Sequence, residues 1–110
     1  MKLEMKRIIL FTRQMEAMTG FYRDVVGLKQ VTDEKGWREF DAGGLTLALH
    51  SGPPTPKNKG PKIVFYAKNV AAVRDALVKR GATFGKVGGA PFFLCDGRDP
   101  EGNAIQLSAR

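Results

Sequence analysis

The sequence predicts an α+β domain of two βαβββ modules, with helices outside curved mixed sheets around a cleft. Three observations carry this reading. The order strand, helix, three strands occurs twice along 110 residues. Displaced by 55 positions, from Arg7 to Lys62, the run Arg7-Ile8-Ile9-Leu10-Phe11 falls without a gap on Lys62-Ile63-Val64-Phe65-Tyr66. Between the halves, Ser51–Pro61 holds four prolines and two glycines and reads as a linker. The expected organisation is one domain over 1–110, with module 1 at 5–50, the linker at 51–61 and module 2 at 62–110. A module of one helix and four strands leaves one sheet face uncovered, and pairing two such sheets encloses a cleft.

Arg7–Thr12 is rich in β-branched and aromatic residues and reads as the first strand. A helix follows from about Met15 to Val26, where Met15, Met18, Phe21, Tyr22 and Val25 recur at intervals of three and four and form one apolar face. Gly27 is its C-terminal stop. Strands at Lys29–Thr32 and Trp37–Asp41 flank a polar turn at Lys35-Gly36. After a turn at Ala42-Gly43-Gly44, Leu45–His50 alternates, with Leu45, Leu47 and Leu49 on one face and Thr46, Ala48 and His50 on the other.

Module 2 repeats the order. Lys62–Ala67 is a strand, Asn69 caps a helix whose stripe is Val70, Val73 and Leu77, and Gly81 ends it. Short strands are expected near Thr83–Val87, Phe92–Cys95 and Ala104–Ser108. At a displacement of 58, from Asp41 to Asp99, Gly44 falls on Gly102, Leu47 on Ile105 and Leu49 on Leu107. The stretch Asp99-Pro100-Glu101-Gly102-Asn103 reads as a tight turn, with Gly102 or Asn103 suited to positive φ.

Composition excludes several classes. The chain is 43% hydrophobic and 26% charged, as in an ordinary globular domain. No apolar run reaches the roughly 18 residues of a membrane span, and the charged start Met1–Arg7 lacks a signal-peptide apolar region. Cys95 is the single cysteine, which rules out an internal disulfide and suits a reducing cytoplasm. The net charge of +7 favours anionic partners, yet the basic residues are dispersed and no nucleic-acid motif is visible, so nucleic acid is not the expected partner. Gly43-Gly44 and Gly88-Gly89 open no helix after a strand and are turns rather than phosphate loops.

The runs Phe21-Tyr22-Arg23-Asp24-Val25-Val26-Gly27-Leu28 and Asp99-Pro100-Glu101-Gly102-Asn103-Ala104-Ile105-Gln106-Leu107, with the internal repeat, resemble the vicinal oxygen chelate superfamily, which includes glyoxalase I, bleomycin-resistance proteins and extradiol dioxygenases. The resemblance spans essentially the whole chain. It implies the fold of that superfamily and a homodimer, with a cleft completed within one chain or across the dimer. Metal-using members place ligands, mostly His or Glu, on the first and last strand of each module. Here those positions are Arg7, Ala48, Lys62 and Gln106. Divalent ions want carboxylate, imidazole or thiolate donors, and two cations repel them. The resemblance therefore implies the scaffold, while its residues predict no metal and no cofactor.

Several residues are candidates for the cleft. His50, the only imidazole, shares a strand face with Ala48. It is read as a general base or a ligand contact, and alternatively as a polar strand end beside the linker; Glu39, if inward, is its one plausible helper. Arg7 and Lys62 occupy matching repeat positions and form either an anion clamp or two strand-initial cations reaching solvent. If enclosed they need a counter-charge, which motivates an anionic ligand. Phe11, Trp37, Tyr66 and Phe92 either line the cleft or pack as plain core. Gln106 offers an amide that donates and accepts. Cys95 is read as a small packed hydrophobe.

The expected function is a metal-independent, glyoxalase- or bleomycin-resistance-like protein that binds a small anionic or aromatic molecule, with or without a proton transfer at His50. One alternative is a metal-dependent lyase or dioxygenase of the same superfamily with shifted ligands. Another is a basic interaction or nucleic-acid-binding domain.

Overall fold

The first strand, β1 (Arg7–Thr12), lies beside the last strand of its own half, β4 (Thr46–Ser51), and runs parallel to it. In the computed structural model, which describes residues 1–56 and 59–110, the chain divides into two units, Met1–Thr55 and Pro56–Arg110. Residues 57 and 58, inside the 51–61 linker, lie outside the described residues. Each unit holds one four-stranded mixed sheet, the α+β arrangement the sequence predicts. No helix among the described residues is long and apolar enough to cross a membrane.

In the first unit, β2 (Lys29–Glu34) and β3 (Trp37–Asp41) complete the sheet in the order β1-β4-β3-β2. Helix α1 (Met15–Gly20) packs on β4. Met18 of α1 and Tyr22 just beyond it enter a core with Phe40, Leu47 and Leu49, all 2% exposed or less. Arg38 ties helix to sheet, its guanidinium donating to Glu16 Oε1 at 2.8 Å and to Thr19 Oγ1 at 3.1 Å.

The single helix expected over 15–26 is corrected. The α-helix ends at Gly20 and widens into a π turn at Phe21–Val25, in which the Val26 N–H donates to the Phe21 carbonyl at 2.9 Å. Two neighbouring aromatics, Phe21 and Tyr22, are both buried there, edge to face with centroids 5.1 Å apart. An even 3.6-residue spiral turns adjacent side chains about 100° apart, and the wider turn accommodates both under the sheet. Gly27, at φ 89°, ends the segment.

The second unit contains β5 (Ile63–Tyr66), α2 (Val70–Lys79), β6 (Thr83–Phe84), β7 (Leu94–Arg98) and β8 (Ala104–Ser108), with sheet order β5-β8-β7-β6. Asn69 caps α2 by accepting the Ala72 N–H at 3.0 Å. Arg74 fastens α2 to β6, donating to the carbonyls of Gly85 at 2.7 Å and Phe84 at 3.1 Å.

Two strand expectations move here. The strand expected over 83–87 stops at Phe84, and the one expected over 92–95 is displaced to Leu94–Arg98. Phe92 and Phe93, read as strand, are about half exposed. Cys95-Asp96-Gly97-Arg98 carries no apolar alternation, because Gly97 lies flat against Phe84. A Cβ at Gly97 would sit 2.5 Å from the Thr83 carbonyl oxygen.

The turn before β8 is built on Asp99, whose residue is 5% exposed. Its Oδ1 accepts the N–H of Glu101 at 2.9 Å and of Asn103 at 3.0 Å, and its Oδ2 accepts from Asn103 Nδ2 at 2.7 Å. Gly102 takes φ 87°. Its repeat partner Asp41 makes a lighter version, accepting the Gly43 N–H at 2.9 Å. Asp99→Ala is expected to lower the unfolding free energy by about 2 kcal/mol, since bonds to an ionised group and a sheltered turn are both lost. Asp41→Ala, at an exposed turn, is expected to cost about 0.5 kcal/mol. Urea denaturation of the two variants checks the contrast.

Candidate functional site

Strand alternation leaves each sheet with a face turned away from its helix. In module 1 the register sets residues of that face in rows across the strands. Arg7 lies opposite Thr46 and Asp41, Ile9 opposite Ala48 and Glu39, and Phe11 opposite His50 and Trp37. Thr32 continues the middle row on β2.

Glu39 is the hub of this face. It accepts from Arg7 Nε at 2.8 Å and from the Thr32 hydroxyl at 3.0 Å. Hydrogen bonding from Trp37, then from Thr32 and Arg7, holds its carboxyl below the ordinary glutamate range, against the opposing effect of burial. The Arg7 guanidinium also lies 5.8 Å from the Trp37 ring centroid.

The outer row is aromatic. The His50 ring lies 5.3 Å from Phe11 at a tilt of 45°, and 5.6 Å from Trp37 edge-on at 81°. His50 Nδ1 is 2.8 Å from the Ser51 carbonyl oxygen. Gly52 makes room for Phe11, because a Cβ there would fall 2.9 Å from its Cδ1.

Module 2 repeats the electrostatic part on its own open face. Lys62 Nζ meets Asp96 Oδ1 at 3.0 Å, and Gln106 Nε2 donates to the same oxygen at 2.9 Å. Hydrogen bonding from Gln106, then from Lys62, holds the Asp96 carboxyl below the usual aspartate range. The equivalence is internal to each module: a cation at the start of the first strand (Arg7) or just before it (Lys62) meets a third-strand carboxylate across the last strand, where Ala48 stands in one case and Gln106 in the other. Tyr66, at the end of β5, is 69% exposed.

These contacts change how the sequence candidates are read. Arg7 and Lys62 are cations whose counter-charge is supplied inside their own modules, by Glu39 and Asp96. The counter-charge that enclosure would demand is thus present inside each module. The structure brings Arg7, Phe11, Trp37 and His50 together on one face, and joins Lys62 to Gln106 on another. It leaves Phe92 apart, under the Arg110 guanidinium at 4.8 Å. Asp96 was missed because it lies beyond the strand expected at 92–95. Glu39 was legible through its alternation with Trp37, but its three donors come from three different strand positions.

The positions at which the resemblance places metal ligands hold Arg7, Ala48, Lys62 and Gln106, a donor set that does not suit a divalent ion. Among the described residues no three His, Cys, Asp or Glu side chains converge. Cys95 is 1% exposed, and burial pushes its thiol up, away from the thiolate form that binds metals or attacks electrophiles.

Comparison with known proteins returns one family model for the chain. The model of the Glyoxalase/Bleomycin resistance protein/Dioxygenase superfamily matches residues 4–107. A lactoylglutathione lyase from Agrobacterium tumefaciens superposes with TM-score 0.77 at 21% identity, covering 96% of this chain and 92% of its own. An antibiotic binding protein from a Streptomyces species superposes with TM-score 0.82 at 21% identity, covering 96% and 94%. A glyoxalase/bleomycin resistance protein/dioxygenase from Nocardioides gives TM-score 0.81 at 17% identity, covering 98% and 83%. At these identities the solved structures carry the fold alone. No curated protein matches the chain in sequence.

The Glu39 hub predicts a pH signature. Its folded-state pKa is depressed, so its contribution is present above the ordinary glutamate value and is lost as the pH falls through the depressed folded value. Glu39→Gln is expected to be less stable than the native chain at neutral pH, with the gap closing as the pH falls below the ordinary glutamate value. Chemical denaturation across that range checks it; a gap independent of pH would contradict the assignment.

Proposed function

The chain belongs to the glyoxalase/bleomycin resistance protein/dioxygenase superfamily, and from that premise we propose that it binds a small planar aromatic molecule on the open face of module 1, without a metal. One observation carries this: the row Phe11, His50 and Trp37, with ring centroids 5.3 and 5.6 Å apart along three adjacent strands. Aromatic rings recognise flat ligands by offset and edge contacts worth about 0.5–1.5 kcal/mol each beyond the area buried. Phe11 is 44% exposed and Ile9 is 43% exposed, so apolar surface is available beside the row.

Arg7 fits this reading as a positioning group. Held by Glu39, it stiffens the Trp37 ring and adds a cation over its face. His50 is the polar contact, or the base if the ligand is also transformed. On module 2, Lys62, Gln106 and Tyr66 form a second candidate ligand surface of amide, ammonium and phenol. The same reading takes the chain as a cytoplasmic homodimer; exposed Val31 supplies apolar surface for a second copy. Dispersed charge and the engagement of Arg7, Arg38, Lys62 and Arg74 within their modules support a small-molecule partner over nucleic acid.

A thermal-shift panel tests the ligand class. Naphthalene- and quinoline-sized aromatics at about tenfold above Kd are expected to add about 1.4 kcal/mol, a rise of several degrees in Tm. Acetate and phosphate are expected to leave Tm unchanged, and Phe11→Ala or Trp37→Ala to abolish the aromatic shift. Shifts with the anions alone, lost in Arg7→Ala or Lys62→Ala, would overturn the proposal in favour of the anion clamp.

Elemental analysis of protein purified without chelator tests metal independence. Substoichiometric divalent metal, unchanged by His50→Ala, is the expected result. Tightly bound stoichiometric metal lost in that variant would restore the metal-dependent lyase or dioxygenase reading.

A further inference from the structure

We propose that the module 1 site selects aromatic molecules that carry a hydrogen-bond donor, a phenolic O–H or a ring N–H, and that Nε2 of His50 is the acceptor. This rests on the aromatic-ligand reading above and narrows it to a chemical class.

His50 Nδ1 lies 2.8 Å from the carbonyl oxygen of Ser51. A carbonyl oxygen only accepts, so the proton is on Nδ1, and the neutral ring carries a bare lone pair on Nε2. The backbone therefore chooses the tautomer, and with it the kind of group the ring recognises.

The surroundings reinforce the choice. His50 lies between Phe11 on β1 and Trp37 on β3, so its flanking side chains across the sheet are aromatic. Donors of the neighbouring row are already engaged. The Thr32 hydroxyl and Arg7 Nε both hydrogen-bond the Glu39 carboxylate. The hub thus draws donors towards Glu39 and leaves the aromatic row with an acceptor. The His50 residue is exposed, so a ligand lying across the row reaches it. A flat molecule without a donor gains the ring contacts alone; one with an O–H at its edge adds a hydrogen bond to Nε2.

Nuclear magnetic resonance tests this directly, because the chain has one histidine and one tryptophan. A long-range 1H–15N spectrum of the imidazole is expected to show protonated Nδ1 and unprotonated Nε2 in the neutral ring. 2-Naphthol and 2-methoxynaphthalene differ in the donor, and their titrations are followed at the Trp37 indole signal. The naphthol is expected to bind about three- to tenfold more tightly, the worth of one modest hydrogen bond, and His50→Phe is expected to erase that difference. An Nε2-protonated ring would overturn the proposal. Equal affinities with a moving Trp37 signal would overturn it while leaving the aromatic reading standing. No response to either compound would overturn both.

Discussion

The parallel pairing of each module's first strand with its last is the constraint on which the rest depends. Because β4 returns beside β1, and β8 beside β5, the last strand of each module lies inside its sheet, with a neighbour on both sides. One of its faces is sealed by apolar side chains, Leu47 and Leu49 in one module and Ile105 and Leu107 in the other. The opposite face is where first-strand and third-strand side chains meet. A parallel connection requires a long crossover, which is the work of α1 and α2.

Two consequences follow for the open faces. A cation at the start of the first strand or just before it reaches a carboxylate on the third strand, giving Arg7 with Glu39 and Lys62 with Asp96. The pairs are partly exposed, and such pairs contribute modestly to stability. Their larger effect is on binding character, since each cation already holds a carboxylate inside its own module. The net charge of +7 therefore says less about the ligand than composition suggests. What differs between the modules is the outer row: Phe11, His50 and Trp37 on one, Tyr66 and Ser108 on the other.

Much of the fold was legible because its signals are local. Alternation in β1 and β4, the apolar stripe of α1, the stop at Gly27 and the turn at Asp99 each act within a few residues. The same alternation placed Arg7, Phe11, Trp37 and His50 on one side of their strands. Alternation names a face but not a lateral neighbour, because inter-strand register pairs residues such as Trp37 with His50, or Arg38 with Leu49, that are far apart in the chain. That is why the carboxylate partners and the aromatic row emerged only with the structure. The displacement of β7 had a different origin: Gly97 is there for its lack of a side chain against Phe84, and a missing side chain leaves no hydrophobic signal. The π turn at Phe21–Val25 was hidden because its apolar spacing also satisfies a regular helix.

The proposed ligand surface is the aromatic row of module 1, not the paired cations. A residue-resolved chemical-shift map of the 15N-labelled chain with 2-naphthol tests it most directly. The largest changes are expected at Phe11, Trp37, His50 and Ser51, with Lys62 and Asp96 unmoved. Changes centred on Lys62, Asp96 and Arg98, or spread evenly over both units, would contradict it.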